Sequence, residues 1–373
     1  MPHKNIGYRP TWAEVNLRHL AYNFHQVKKR LSAQTKIMAT VKADAYGHGL
    51  IPVARRLVQE GVDFLGVASI DEGIRLRKAA VEAPVLILGL ALPEDIGPIF
   101  EYRLTPTVCG LDLATALDRR AKRRGLPVKV HLKVDTGMGR IGVLHQDAEE
   151  LAIKISRLKF IRIEGIFTHF AFADLNQEFT HRQIGLFDTL VRKLAKSGIN
   201  IPLAHAANSL GVLDYRNGHF NMVRPGLVIY GLHPQQNLKI RLRPVLSLKT
   251  RVVFIKRLPP GYGVSYGHAY VTREDTQIVT LPIGYGDGYP RSLSNQAPVL
   301  IHGKRFKVAG RVCMDQMMVD AGDLPAKVGD EVVLIGAQGK NKITVEELSG
   351  LCATIPYEIV CGLGSRIPRV FIG

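Results

Sequence analysis

The chain has 373 residues, 46% hydrophobic and 22% charged, which suits a globular protein with room for two domains rather than one core. Its net charge of +18 raises nucleic acid or anionic membranes as partners, but Lys and Arg are spread along the chain. No apolar run nears the roughly 20 residues of a membrane span, Met1-Pro2-His3-Lys4-Asn5 has no apolar core like that of a signal peptide, and Cys109, Cys313, Cys352 and Cys361 form no C-x-x-C pair or zinc spacing, so the expected setting is a reducing cytoplasm, without membrane, nucleic acid or metal.

An amphipathic segment from Asn16 to Leu31 predicts the first helix. Eight short apolar or β-branched runs follow, near 36–43, 63–69, 84–89, 104–109, 128–135, 162–170, 202–208 and 222–230. Helix-like segments separate most of them, such as Gly49–Gly61, Ile70–Val81, Leu111–Gly125 and Gln177–Gly198. The densest basic run, Arg119-Arg120-Ala121-Lys122-Arg123-Arg124, ends the third of these before Gly125, where cations favour the helix dipole. Runs as continuously apolar as Pro84-Val85-Leu86-Ile87-Leu88 suit strands buried on both faces. Eight β-then-α units in succession suggest a (β/α)8 TIM-type barrel, with an open doubly wound sheet as the alternative.

After Tyr230-Gly231 the texture changes. Ser247–Leu258, Gln277–Ile283, Pro298–Val308 and Asp330–Ile335 read as strands, with a hairpin at Gly303-Lys304. One short helix near Thr344–Leu351 opens with Thr344 and Glu347 at capping-box spacing. The expected fold class is therefore α/β, a barrel over 11–240 followed by a mostly β domain over 241–373, to which residues 1–10 can also contribute.

Barrel enzymes carry their sites at the C-terminal ends of the strands. Lys42 ends the first, Lys133 lies in the fifth and leads to Asp135 and Arg140, and Thr168-His169 end the sixth. Asn208-Ser209 end the seventh, and the eighth carries Arg224 before Gly226. That face has no nucleophile elbow and no carboxylate cluster for a metal. It has a lysine in an apolar strand. Such a lysine either snorkels to the rim or, desolvated and easily neutralised, forms a Schiff base with a carbonyl cofactor; spacing alone leaves both open.

Val41-Lys42-Ala43-Asp44-Ala45-Tyr46-Gly47-His48-Gly49 resembles the cofactor-lysine motif of the bacterial alanine racemases. Six further segments match that family in order: His131-Leu132-Lys133-Val134-Asp135-Thr136-Gly137-Met138-Gly139-Arg140, His205-Ala206-Ala207-Asn208-Ser209, Arg224-Pro225-Gly226, Gly263-Val264-Ser265-Tyr266-Gly267, Gly284-Tyr285-Gly286-Asp287-Gly288 and Val312-Cys313-Met314-Asp315. Together they span essentially the whole chain.

The resemblance implies a pyridoxal 5'-phosphate enzyme that interconverts L- and D-alanine, supplies D-alanine for the cell wall, and works as a homodimer with shared active sites. It implies that Lys42 holds the cofactor as a Schiff base and is one catalytic base, with Tyr266 of a second subunit as the other. His169, linked to Arg224, would assist the tyrosine. Arg224 would face the pyridine nitrogen, where many related cofactor enzymes place a carboxylate. Ser209, Gly226, Leu227, Tyr46 and Tyr357 would hold the phosphate, with Asn208 in support. Arg140 and Met314 would bind the substrate carboxylate and Tyr285 would narrow access. Lys133 would be carbamylated, an anion able to hold Arg140.

Other readings remain. Gly137-Met138-Gly139-Arg140-Ile141-Gly142 fits the dinucleotide pattern G-x-G-x-x-G, although it follows the fifth strand and no helix starts at its glycines. A non-catalytic pyridoxal-phosphate carrier would resemble the barrel alone. A decarboxylase of basic amino acids would share the two-domain plan, and a racemase of serine or another amino acid is a near alternative.

Overall fold

Eight short parallel strands form a ring in the computed structural model, which describes residues 8–233 and 240–373. Around the ring they run Val85–Ile87, Phe64–Val67, Lys36–Thr40, Met222–Val223, Leu203–His205, Ile161–Phe167, Val128–Asp135 and Thr107–Val108. The first and last meet through one bridge, Leu86 to Thr105, where Ile87 N–H donates to Thr105 O at 2.9 Å. The ring is thus nearly closed as a barrel, as expected, and the open-sheet alternative falls. Phe64–Val67 and Val85–Ile87 are buried along their whole length, which is why those runs carry no alternating polar residues.

Seven of the eight runs end earlier than their apolar pattern suggests, and only the fifth, Val128–Asp135, keeps its full length. The first strand stops at Thr40, so Lys42 lies two residues beyond it rather than in it. The sixth stops at Phe167, the seventh at His205 and the eighth at Val223. At these ends the chain leaves barrel register before the polar residues, which therefore stand on the loops at the mouth, whereas Lys133 stays within the fifth strand.

The outer helices follow their caps. Leu17–Lys28 begins where Asn16 Oδ1 accepts from His19 N at 3.0 Å, and Gln177–Lys196 where Asn176 Oδ1 accepts from Phe179 N at 2.9 Å. Leu111–Arg124 ends at Gly125 with φ +68°, a left-handed cap that glycine adopts without strain.

The second unit is built on a ten-stranded sheet. Thr11–Asn16, expected in the barrel, belongs here instead: it pairs antiparallel with Leu246–Arg251 and parallel with Arg369–Ile372. Its partners lie more than 200 residues away, so local pattern could not assign it. Residues 1–7 and 234–239, which include most of the segment 1–10 and the approach to the expected boundary at 240, lie outside the described residues. The run 247–258 is two strands, Leu246–Arg251 and Phe254–Leu258. The chain changes partner there: Val252 N donates to Asp330 O and Val253 N to Thr280 O. The hairpin turn is His302-Gly303, one residue earlier than read, with both residues at positive φ and Ile301 opposite Lys304. A helix at Pro356–Gly362 escaped the pattern, although Pro356 at its first turn is a start signal.

One turn is unusual. Ala43, Asp44, Ala45 and Tyr46 all have φ between +53° and +55°, a left-handed turn directly after Lys42. Such residues cost about 1–2 kcal/mol each, so neighbours must hold them. His48 Nδ1 reaches Tyr46 O at 2.8 Å and Ala45 O at 3.1 Å; Glu72 Oε1 accepts from Ala43 N at 2.6 Å. Gly47 ends the turn against Val360 O, which a Cβ would approach to 2.1 Å. To donate there His48 carries a hydrogen on Nδ1, and burial, outweighing these bonds, lowers its pKa from 6.5 to about 4. The unfolded chain then binds more protons than the folded one between those values. Stability is therefore full above about pH 6.5 and falls as pH drops toward 4, by up to about 3 kcal/mol from this group. Urea unfolding of wild type and His48→Gln at one protein concentration checks this: the variant should lose part of the acid slope, and an identical slope would remove His48 from the account.

Candidate active site

At the C-terminal mouth of the barrel lies a cavity of about 360 Å³. It gathers ten of the fourteen residues singled out from the sequence. Lys42, His169, Asn208, Ser209, Arg224 and Gly226 reach it from the strand ends, Lys133 from within the fifth strand, and Arg140 from the loop beyond. Tyr46 comes from the left-handed turn and Tyr357 from the helix of the second unit. Leu227 is fully buried beside Gly226 and is not among the lining residues. Tyr266, Tyr285 and Met314 do not line it either; their side chains are 69%, 42% and 53% exposed.

Charge distinguishes this cavity. Lys42, Lys133, Arg140 and Arg224 line it, and no Asp or Glu does. Burial, then the charge of Arg140, lowers the Lys42 pKa, so neutral amine is accessible. Burial, then Arg224, lowers Lys133 to about 7. Lys133 Nζ donates to Val134 O at 2.9 Å, and it and Arg224 both lie over the Phe167 ring, at 5.3 and 5.2 Å. Burial, then Arg140, lowers Arg224 to about 9. Its guanidinium donates to Thr168 O at 2.7 Å, Ala206 O at 3.0 Å and His205 Nδ1 at 2.9 Å, and approaches His169 Nδ1 at 3.4 Å.

The floor is shaped by Gly226. A Cβ there would stand 2.6 Å from Tyr46 Oη, so only glycine leaves the cradle open. Gly226 N–H donates to Ser209 Oγ at 3.0 Å, and Asn208 caps the helix Ser209–Asp214 by accepting from Gly211 N at 3.0 Å. Burial raises the Tyr46 pKa and raises Tyr357 to about 12, so both hydroxyls remain donors. A concave floor of hydroxyls and amides beneath a cationic wall fits a phosphate, and a lysine amine in the same cavity fits an aldehyde. Pyridoxal phosphate carries both groups.

The glycine-rich segment is not free to bind a pyrophosphate. Its amides at Gly137, Met138 and Gly139 all donate to the Asp135 carboxylate, at 2.8, 2.8 and 2.9 Å. Among the described residues no group of three His, Cys, Asp or Glu could hold a metal, and no helix is long and apolar enough to cross a membrane.

Tyr266 stands on the turn of a small ribbon, Gly263–Val264 paired with Tyr270–Val271, with Ser265 and Gly267 at positive φ. The loop of Met314 is held by the neighbouring glycine segment: Tyr285 N donates to Cys313 O at 3.0 Å and Gly286 N to Met314 O at 2.9 Å. Asp315 anchors the same loop, since Arg366 pairs with its carboxylate at 2.7 Å and Arg9 donates to its carbonyl at 2.8 Å. Both arginines also pair with the fully buried Asp287.

Supporting residues were missed. Fully buried Gln183 donates to His169 O at 3.1 Å and accepts from Ala171 N at 2.9 Å, fixing the His169 segment. A buried glutamine on an apolar helix face was the available signal. His131 and His205 were quoted within matched segments but assigned no part.

Comparison with known proteins agrees with this geometry. Residues 15–234 match the family described as "Alanine racemase, N-terminal domain" and residues 245–371 "Alanine racemase, C-terminal domain". The chain is 48% identical to an alanine racemase of Halothermothrix orenii, over 97% of each protein. Its structure resembles alanine racemase from Clostridium difficile 630, with a TM-score of 0.94 and 39% identity, over 98% of this chain and 96% of that one. It also resembles the Bacillus anthracis alanine racemase solved with bound L-Ala-P, with a TM-score of 0.91 and 36% identity, over 98% and 96%.

Proposed function

Because the chain belongs to the alanine racemase family, and is thus a pyridoxal-phosphate-dependent amino-acid racemase, we propose that it interconverts L- and D-alanine by a two-base mechanism in sites shared between two copies of itself. The observation that carries this reading is the cavity that joins Lys42 to Arg224, Lys133 and Arg140 with no carboxylate in its lining.

Lys42 would hold the aldehyde carbon of the cofactor. Tyr46, Ser209, Gly226, Leu227 and Tyr357 would hold its phosphate, with Asn208 keeping Ser209 in place. Bound there, pyridoxal phosphate supplies a conjugated ring that withdraws electrons from the substrate α-carbon and so acidifies its hydrogen. Arg224 can only donate, so it would leave the ring nitrogen unprotonated as an acceptor rather than hold a proton on it as a carboxylate would. That keeps electron withdrawal moderate and disfavours transamination.

Inversion needs one group to take the α-proton and another to return one to the opposite face. Lys42 serves one face, helped by the desolvation that keeps its amine neutral. Tyr266 of a second copy serves the other. Its exposure, and that of Tyr285 and Met314, support a face that is completed by a partner. His169, with Nδ1 toward Arg224, has Nε2 to offer the tyrosine oxygen. Arg140 and the Met314 amide would grip the substrate carboxylate and Tyr285 would bound the opening.

Lys133 would react with carbon dioxide. A pKa of about 7 leaves much of it as free amine, the form that attacks the carbon and releases one proton to give a carbamate. The anion would then face Arg140 and Arg224, which otherwise raise the energy of a third cation. The expected product, D-alanine, serves cell-wall synthesis, in the cytoplasm.

Assay of L- and D-amino acids with added pyridoxal phosphate tests the whole reading. Alanine should racemise fastest. Faster racemisation of serine or another amino acid would move the substrate, and carbon dioxide release from basic amino acids would replace the reaction with decarboxylation.

A further inference from the structure

Behind Arg224, away from the cavity, a file of polar side chains crosses the barrel interior. Arg224 Nη1 is 2.9 Å from His205 Nδ1, and His205 Nε2 is 2.9 Å from His131 Nδ1. His131 Nε2 lies 3.6 Å from Glu164 Oε2 and has no nearer partner. The other Glu164 oxygen is 2.6 Å from Lys129 Nζ, which is exposed. Both imidazoles are fully buried, and space for His131 exists only because residue 165 is glycine, where a Cβ would come within 2.4 Å of its Nδ1. Phe167 stacks flat on His205 at 4.7 Å.

Donor counting sets the direction of this file. Arginine can only donate, so His205 must accept at Nδ1 and carry its hydrogen on Nε2. His131 must then accept at Nδ1 and carry its hydrogen on Nε2, the nitrogen that lies 3.6 Å from Glu164 Oε2. A carboxylate can only accept, and although Glu164 Oε2 at 3.6 Å is beyond hydrogen-bond reach, its charge favours the same tautomer that the arginine end requires. Either reversed imidazole would set two donors against each other in a dry interior. Burial lowers the pKa of both histidines, which keeps them neutral. Burial alone would raise Glu164, but His131 and Lys129 outweigh it and hold the carboxyl at about 2. The carboxylate is thus the only negative end of a file whose other end is a buried arginine with no carboxylate among its hydrogen-bond partners.

We propose that Glu164 is a positioning residue for Arg224, acting through His131 and His205, each held as the neutral Nε2–H tautomer, to keep the guanidinium in one orientation at the cavity. Its effect on turnover rests on the role proposed above for Arg224; the tautomers do not.

Nitrogen-15 spectra of protein with labelled histidine test the file with and without pyridoxal phosphate. His131 and His205 should both appear neutral with hydrogen on Nε2, and an Nδ1–H or doubly protonated ring at either position overturns the proposal even if Glu164→Leu fails to fold. Glu164→Leu should shift the His131 Nε2 resonance and lower kcat about tenfold while leaving KM for alanine nearly unchanged, because Arg224 faces cofactor and not substrate. Glu164→Gln, whose amide oxygen still accepts, should recover most of kcat. An unchanged kcat in folded Glu164→Leu, or a loss shared with KM, overturns the positioning role. Absence of racemase activity in wild type would reject the function instead, and the spectra would still read the file.

Discussion

Lys42→Ala should lose both the absorbance of lysine-bound pyridoxal phosphate and more than about 10⁴-fold of turnover. Two roles vanish together, the covalent anchor and one of the two bases, and no neighbour can take them over. Lys133 is the other lysine in the cavity, but it is buried in the fifth strand and bonded to Val134 O. The fold should survive, since Lys42 is only partly buried and the left-handed turn is held by His48, Glu72 and Gly47 rather than by the lysine side chain. Lys133→Ala is the control, and it should keep the absorbance. A Lys42→Ala protein with both absorbance and turnover intact would overturn the reading of the cavity.

Tyr266→Phe should keep that absorbance and lose about 10²–10⁴-fold of turnover, the usual weight of a general base. The sharper test pairs the two variants. If each site takes Lys42 from one copy and Tyr266 from the other, a heterodimer of Lys42→Ala and Tyr266→Phe chains has one site with both groups intact and one with neither. Separately tagged chains, purified as the heterodimer, should therefore regain about half the activity of a wild-type dimer. If a single copy supplied both groups, every site in the heterodimer would lack one of them and no activity would return. The exposure of Tyr266 and its absence from the cavity of its own chain favour the first outcome.

The barrel was legible because its strands are buried on both faces and so are written as unbroken apolar runs, as at 84–89. Their ends were less legible. The runs at 36–43 and 222–230 continue past Thr40 and Val223 because Val41 and Leu227–Tyr230 are equally apolar while packing as turns. Much of the site was legible through local motifs, each a short segment with its own turn chemistry. Gln183 and Glu72 were not, because their parts depend on backbone groups far from them in sequence, His169 O and Ala43 N.

By itself the sequence determined that a barrel precedes a mostly β unit, that Lys42 stands near the barrel mouth, and that the resemblance runs the length of the chain. Periodicity and motif are local properties, and these features are local. Only the tertiary structure decided that Thr11–Asn16 joins the far sheet, that Gly226 must lack a side chain beneath Tyr46, and that Asp135 occupies the glycine-loop amides. It alone aligned His205, His131 and Glu164 behind Arg224. Except for Asp135, which accepts from amides two to four residues on, each of these is a contact between distant segments, set by packing and by the need of buried polar groups for partners, and neither need is written in the spacing of residues along the chain.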